Sequence, residues 1–423
     1  MKYSGLRLFT LVLLLWPLAA GAQVMQLPGS ELSALVGEPR SPYSFFTYQD
    51  GRFEPVPYQW VDWAEEDMPR FTQDEHTTPV GDPSRINERD RLLLRWRSAG
   101  DKLDRPVSEQ VVGEIRVGEE FNYGYFYVVR NAFQQNRDRA VQFNRDRMRI
   151  QTTDYSLDMD EDNLLIWNDF FYRGYRDPEG RQNTILDTMK IRLSAGLLTE
   201  NQRITLNNEN LDPVIEEVIE GPLATLIYAT TTVRVARVPV LRTRNYFVVM
   251  PEQVDIHTHF RLPGAASTVL RTPKVSMSLA GNDLYGGRLR TSWTGRLEAE
   301  VDGSGELSRA AQTMLEEPMG RDNWIWFSTG RGFDVLGNLQ FHEGFEGPVH
   351  LVYQDDADLE DPPERFPGQL PNVGFSLEDL PFGQDFFFVA RLLFSGDSDG
   401  LPPHRYAERT LSQPEVRYSR IRQ

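Results

Sequence analysis

Hydrophobic positions along this chain recur mostly at every second residue, in short runs rich in Val, Ile, Thr, Tyr and Phe that Gly, Pro, Asn and Asp interrupt. Alternation at period two sends successive side chains to opposite faces of an extended backbone, so the pattern predicts antiparallel strands joined by turns. Strands are expected over Val111–Val117, Tyr123–Arg130, Leu164–Phe171, Thr188–Leu193, Leu223–Val240, Tyr246–Met250, Val254–Leu262, Arg288–Val301, Asn323–Thr329, Val349–Tyr353 and Phe386–Phe394. One helix is expected from Glu306 to Glu317, where Leu307, Ala310, Ala311, Met314 and Leu315 share a face and Pro318 ends the run. The expected fold is mostly β with few helices: an antiparallel β-sandwich or supersandwich, in two β-rich domains over residues 23–212 and 213–423. No repeat of 20–50 residues is visible, which disfavours a solenoid or propeller.

The ends of the chain add a location. Lys2 and Arg7 precede an apolar run from Leu8 to Ala20, and Ala20-Gly21-Ala22 leads into Gln23, the layout of a cleavable signal peptide over residues 1–22. The run is shorter than the ~20 residues that span a bilayer, so no stable membrane anchor is expected after cleavage. No Cys follows it to carry a lipid. A periplasmic or secreted bacterial protein is therefore expected. The chain has no Cys at all, so its stability must come from burial, which a mature chain of about 400 residues can supply. A formal charge of −17 argues against nucleic acid or an anionic membrane surface as partner.

Known catalytic signatures are missing. There is no G-x-S-x-G elbow, no phosphate-cradling loop, no H-E-x-x-H and no thiol. His342-Glu343 begins like a zincin, but Glu346 stands where the second His is needed. No motif calls for a cofactor, and no metal is assigned. The loop from Asp158 to Asp162 lacks the glycine and the final Glu of an EF-hand, and the acids from Asp355 to Asp361 read as a solvated turn before a calcium site.

Four constellations remain. His257 and His259 would share one face of a strand, where they could bind a metal with His342, His350, Glu343 or Asp255, or act as acid and base; the plainer reading is a solvated face. Phe121, Tyr123, Tyr125 and Tyr127 make an aromatic stripe that suits either a sugar platform or a sandwich core, and Trp324 and Trp326 repeat that spacing. Arg234, Arg237, Arg242 and Arg244 form a basic patch in an acidic chain, suited to uronate carboxylates or simply to the wet side of a strand.

Two stretches carry a family likeness. Phe53-Glu54-Pro55-Val56-Pro57-Tyr58-Gln59, followed by Asn87-Glu88-Arg89-Asp90-Arg91-Leu92-Leu93-Leu94, resembles the front of exported β-proteins encoded beside polysaccharide-degradation genes. Ile219-Glu220-Gly221-Pro222-Leu223-Ala224 resembles a strand start of rhamnogalacturonan-lyase-like supersandwich proteins. Trp60-Val61-Asp62 and Arg89-Asp90-Arg91 depart from the family pattern. The resemblance implies a supersandwich and a glycan connection, and it carries no catalytic residue over.

The leading expectation is an envelope protein that binds or processes a glycan, a uronic-acid polysaccharide among the candidates. For β-elimination, Arg242 or Arg244 would neutralise the carboxylate and His257 or His259 would take the proton, with Tyr123, Tyr125, Tyr127, Trp324 and Trp326 as ligand-binding rings. The rival is a non-enzymatic accessory for transport of a hydrophobic compound or for envelope assembly, and a third is an interaction protein using a sheet edge. Solvent-lined rings beside Arg and His would favour the glycan; a closed apolar pocket would favour the hydrophobic cargo. Oligomeric state is left open.

Overall fold

A computed structural model describes residues 24–421 except 106–107, 109, 120–121, 133, 135, 236, 293–298, 321, 342–344, 397, 399 and 413. The segment expected to be a signal peptide, together with Phe121, His342 and Glu343, lies outside the described residues. Strand content is 52% against 9% helix, and the strands pair antiparallel, as the period-two pattern requires. Among the described residues no helix is long and apolar enough to cross a membrane.

The centre is a nine-stranded sheet in the order Leu211–Glu220, Thr225–Val235, Val238–Val249, Gln253–Arg261, Asp385–Ser395, Asp334–Phe341, Trp324–Ser328, Arg288–Thr291 and Ala299–Glu300. A partner sheet, Arg203–Leu206, Leu186–Leu197, Leu270–Gly281, Gln369–Leu377 and Val349–Asp356, covers one face. The strand Gln253–Arg261 shows why. Val254, Ile256 and Phe260 point into the core shared with Met189, Val275, Leu351 and Phe375 of the partner sheet. Burying each such side chain contributes about 1.5–3 kcal/mol. The partner sheet pairs Leu186–Leu197, before residue 212, with Leu270–Gly281, after it, so the chain passes 212 within one sandwich.

Part of the other face of the large sheet is covered too. A three-stranded sheet, Val24–Pro28, Arg91–Arg95 and Tyr58–Val61, lays Val24, Val61 and Leu93 against Leu226, Tyr228, Tyr246 and Val248. Its opposite face, with Met25, Leu27, Leu92 and Leu94, packs on Phe45, Ile115, Phe126 and Val128 of a distal five-stranded sheet. A four-stranded sheet over Val141–Tyr172 closes one end of the main core with Leu157, Trp167 and Phe170.

Two expectations need correction. Leu223–Val240 is not one strand: the chain reverses so that Val235 pairs Val238, with Arg237 at φ 72° supplying the left-handed turn without glycine. The expected strand Arg288–Val301 is interrupted, with strand only over Arg288–Thr291 and Ala299–Glu300 among the described residues. The expected helix forms as α1, Arg309–Glu316. Ser308 caps it by accepting the Ala311 N–H at 3.1 Å, and Ala311 is buried. A second helix, α2, spans Pro403–Leu411 and leads to the C-terminal strand Glu415–Arg420 at the edge of the distal sheet.

The two family-like stretches meet in space. Gln59 Oε1 accepts the Leu223 N–H at 3.1 Å and the Ala224 N–H at 2.8 Å, which ties the three-stranded layer to the large sheet. Gly221 is needed there, because a Cβ would come within 2.2 Å of the Gln59 side chain. Asp90 is buried and accepts from Asn87 and Arg40, so both motifs are joints of the fold.

Candidate functional site

Because the large sheet is antiparallel and in register, its outer face carries side chains in cross-strand rows. One row runs Tyr246, His257, Val389, Gln340. The next, two residues along each strand, runs Val248, Asp255, Arg391, Asn338, Trp324. The row on the other side brings Arg244, His259 and Phe387 together. His257 and His259 thus share a face, as alternation predicts, but their surroundings differ.

His259 is locked. The Arg244 guanidinium donates to its Nδ1 at 2.6 Å, its Nε2 donates to Asp385 at 2.9 Å, and its ring stacks on Phe387 with centroids 4.0 Å apart. These partners assign the neutral Nε2–H tautomer. Burial lowers its pKa and the Arg244 charge adds to that, outweighing the pull of Asp385. A proton acceptor needs a lone pair facing substrate, and here the Nδ1 lone pair faces Arg244.

His257 lines a cleft of about 590 Å³ between the outer face of the large sheet and the three-stranded layer. Trp63 meets its ring edge-on, with centroids 5.6 Å apart. The Trp63 indole N–H donates to Asp67 at 2.8 Å, and the Arg91 guanidinium lies over the indole at 5.1 Å while pairing with Asp67 at 3.1 Å. Behind His257, Arg391 makes two bonds to Asp255, at 2.9 and 3.2 Å, and Gln253 and Gln26 donate to the same carboxylate at 2.7 and 3.1 Å. Burial pushes the Asp255 carboxyl up, but Arg391 and the other donors overcome it and hold it below the ordinary carboxylate range. Asp255 is thus a fixed anion two positions from His257.

A second cleft, about 1150 Å³, adjoins the first, sharing Gln340 and Phe341 with it. It runs past Asn323, Trp324 and Asn338 to α2, which contributes His404 and Glu408. Inside the sandwich there is a cavity of about 120 Å³ walled by groups such as Trp167, Phe170, Ile256 and Phe375.

The remaining candidates fall elsewhere. Tyr123, Tyr125 and Tyr127 lie on the distal sheet, away from these clefts. Tyr127 is buried and bonds Leu103 N and Asp101 O, while Arg116 lies 4.2 Å over the half-buried Tyr123. Trp324 and Trp326 both lie on the outer face of the large sheet and pack against Tyr406 and Ala407 of α2; only Trp324 lines a cleft. Arg242 is exposed on the strand that carries Arg244, and Arg234 pairs with Asp212. Among the described residues no three metal-ligating side chains converge. In the acidic stretch read as a solvated turn, Asp355 is instead buried near the end of the strand Val349–Asp356, where it accepts the Asp302 and Gly303 N–H groups.

Trp63, Arg91, Gln340 and Arg391 were not among the sequence candidates. One of them carries a signal: Arg391 is the lone charge in the apolar run Phe386–Phe394, and a charge in a buried strand needs a partner.

No protein-family model matches the sequence, and no curated protein matches it. Solved structures do overlap the fold. An α-mannosidase from Enterococcus faecalis V583 aligns at TM-score 0.44 and 9% identity over 95% of this chain and 43% of its own. A GalM/aldose epimerase homologue from C. elegans aligns at TM-score 0.31 and 10% identity over 57% of this chain and 96% of its own. Heparan sulfate lyase HepC from Pedobacter heparinus aligns at TM-score 0.25 and 7% identity over 44% of this chain and 22% of its own. The chain spans less than half the length of the α-mannosidase. At such scores the likeness assigns neither residue nor activity, and the chemistry of the clefts rests on this chain's own side chains.

Proposed function

We propose that this chain is a cell-envelope glycan-binding protein whose ligand lies in the cleft beside His257. The observation that carries the reading is the lining of that cleft: the planar polar groups of Gln26, Gln340, Asp67, Arg91 and Arg391 stand around His257 and the edge of Trp63. Amides, carboxylates and guanidinium groups fixed by their neighbours suit sugar hydroxyls, which both donate and accept. His257 lines this cleft, whereas Arg244 and His259 stand outside it, committed to each other and to Asp385. The envelope location rests on the signal-peptide pattern over residues 1–22.

A hydrophobic carrier fits less well. Its cargo needs an enclosed apolar pocket, and ligand pockets generally measure about 300–1,000 Å³. The apolar cavity of about 120 Å³ between the sheets is smaller than an engineered core cavity that admits benzene.

A thermal-shift panel of oligosaccharides and fatty acids separates the two readings, because a ligand of the native state raises the melting temperature by mass action. The glycan reading expects a shift with oligosaccharides that shrinks in His257→Ala and in the exposed-site variant Asp67→Ala. A shift with fatty acids alone would reject it.

A further inference from the structure

The cleft beside His257 and the cleft beside α2 meet at Gln340 and Phe341, on a strand whose outer face belongs to both. Resting on the glycan reading above, we infer that they form one groove that takes an extended, non-anionic glycan chain, neutral or amino-substituted, and discriminates against polyuronates.

Length is the first argument. His257 and Trp324 lie on strands three places apart in the sheet order, Gln253–Arg261 and Trp324–Ser328. With strands about 4.8 Å apart, that separation is about 14 Å, room for several sugar units in a row. A single sugar would fill only part of either cleft. Gln340, exposed at the junction, presents an amide that can bond a hydroxyl from either side.

Charge is the second. Both arginines lining the clefts among the described residues are already neutralised, Arg91 by Asp67 at 3.1 Å and Arg391 by Asp255 at 2.9 Å. Three further carboxylates line the groove, Glu31 at the first cleft and Asp322 and Glu346 at the second; a fourth, Glu408, is paired with Arg405 at 3.0 Å. A uronate entering here would meet excess negative charge and find its natural guanidinium partners spent, whereas a hydroxyl or an ammonium would meet acceptors. The uronic-acid substrate suggested by the basic patch Arg234–Arg244 does not share this groove, since none of that patch lines it.

Calorimetric titration of the mature chain tests this with three series, each from disaccharide to hexasaccharide: neutral β-glucan oligosaccharides, deacetylated chitin oligosaccharides and oligogalacturonates. Affinity should rise with length in one of the first two series, and oligogalacturonates should bind at least tenfold more weakly. His404→Ala, at an exposed residue that lines the second cleft and not the first, should weaken the hexasaccharide severalfold while sparing the disaccharide, and Asp322→Asn with Glu346→Gln should narrow the gap to oligogalacturonate. Equal affinity for disaccharide and hexasaccharide, or tightest binding of oligogalacturonate, would overturn the inference while leaving a glycan site beside His257. Silence from all three series would remove both.

Discussion

Glu252 sits in the turn before the strand that carries His257, where three sheets touch. Arg95, at the end of a strand of the three-stranded layer, donates to it at 2.6 Å and Arg97 at 3.0 Å; Asp154, from the four-stranded sheet, lies 3.7 and 3.5 Å from the same two guanidinium groups. Burial, with Asp154 beside it, pushes the Glu252 carboxyl up to about 9 against the pull of Arg97. A raised carboxyl pKa means that the folded protein holds a proton the unfolded chain has released, so this group's contribution to stability falls as pH rises from about 4.5 to about 9. Urea unfolding across that range should show the wild type losing stability relative to Glu252→Gln, which cannot titrate. A constant difference between the two would mean that Arg95 and Arg97 keep Glu252 ionised throughout.

Legibility at this scale follows chemistry. Alternation alone placed His257 and His259 on one face, because period two is a property of the backbone. It could not tell that His259 is enclosed by Arg244 and Asp385 while His257 faces a cleft. Those partners lie 15 and 126 residues away in sequence from His259.

The elements show a second limit. Gln253–Arg261 is legible because Val254, Ile256 and Phe260 alternate with polar residues, and Asp385–Ser395 because both of its faces carry apolar side chains in an aromatic run. Gln369–Leu377 and Leu211–Glu220 are not, since Pro371, Gly374 and Pro213 read as breaks. Pro213 is tolerated because its strand is an edge of the large sheet. Gly374 has the opposite reason: its strand is internal to the partner sheet, and a Cβ would stand 2.0 Å from the Met277 carbonyl oxygen. Gly374→Val should therefore force the two strands apart, costing about 1–3 kcal/mol or more, read as an earlier denaturation midpoint. A variant as stable as the wild type would mean that the strands separate without loss.

Across the whole molecule, the layer order explains why a cleft exists. The large sheet has two apolar faces to bury, and the partner sheet covers one. The three-stranded layer covers the other only over the half that carries Leu226, Tyr228, Tyr246 and Val248. Where that cover ends, the rows through His257 and Asp255 turn polar, and the C-terminal segment of α2 and Glu415–Arg420 passes along the rim, contributing Glu408 to one cleft and Val416 to the other. The sandwich class was legible from strand patterning, but this partial cover was not, because it depends on which sheet meets which. The resembling motifs at Gln59 and Gly221 mark that meeting without pointing to the site.

The most direct test is a crystal structure of the mature chain grown with a neutral or amino-substituted oligosaccharide. The account predicts ligand density running from His257 past Gln340 toward Trp324. Density only over Tyr123 and Tyr125 on the distal sheet, or at Arg242, would contradict it.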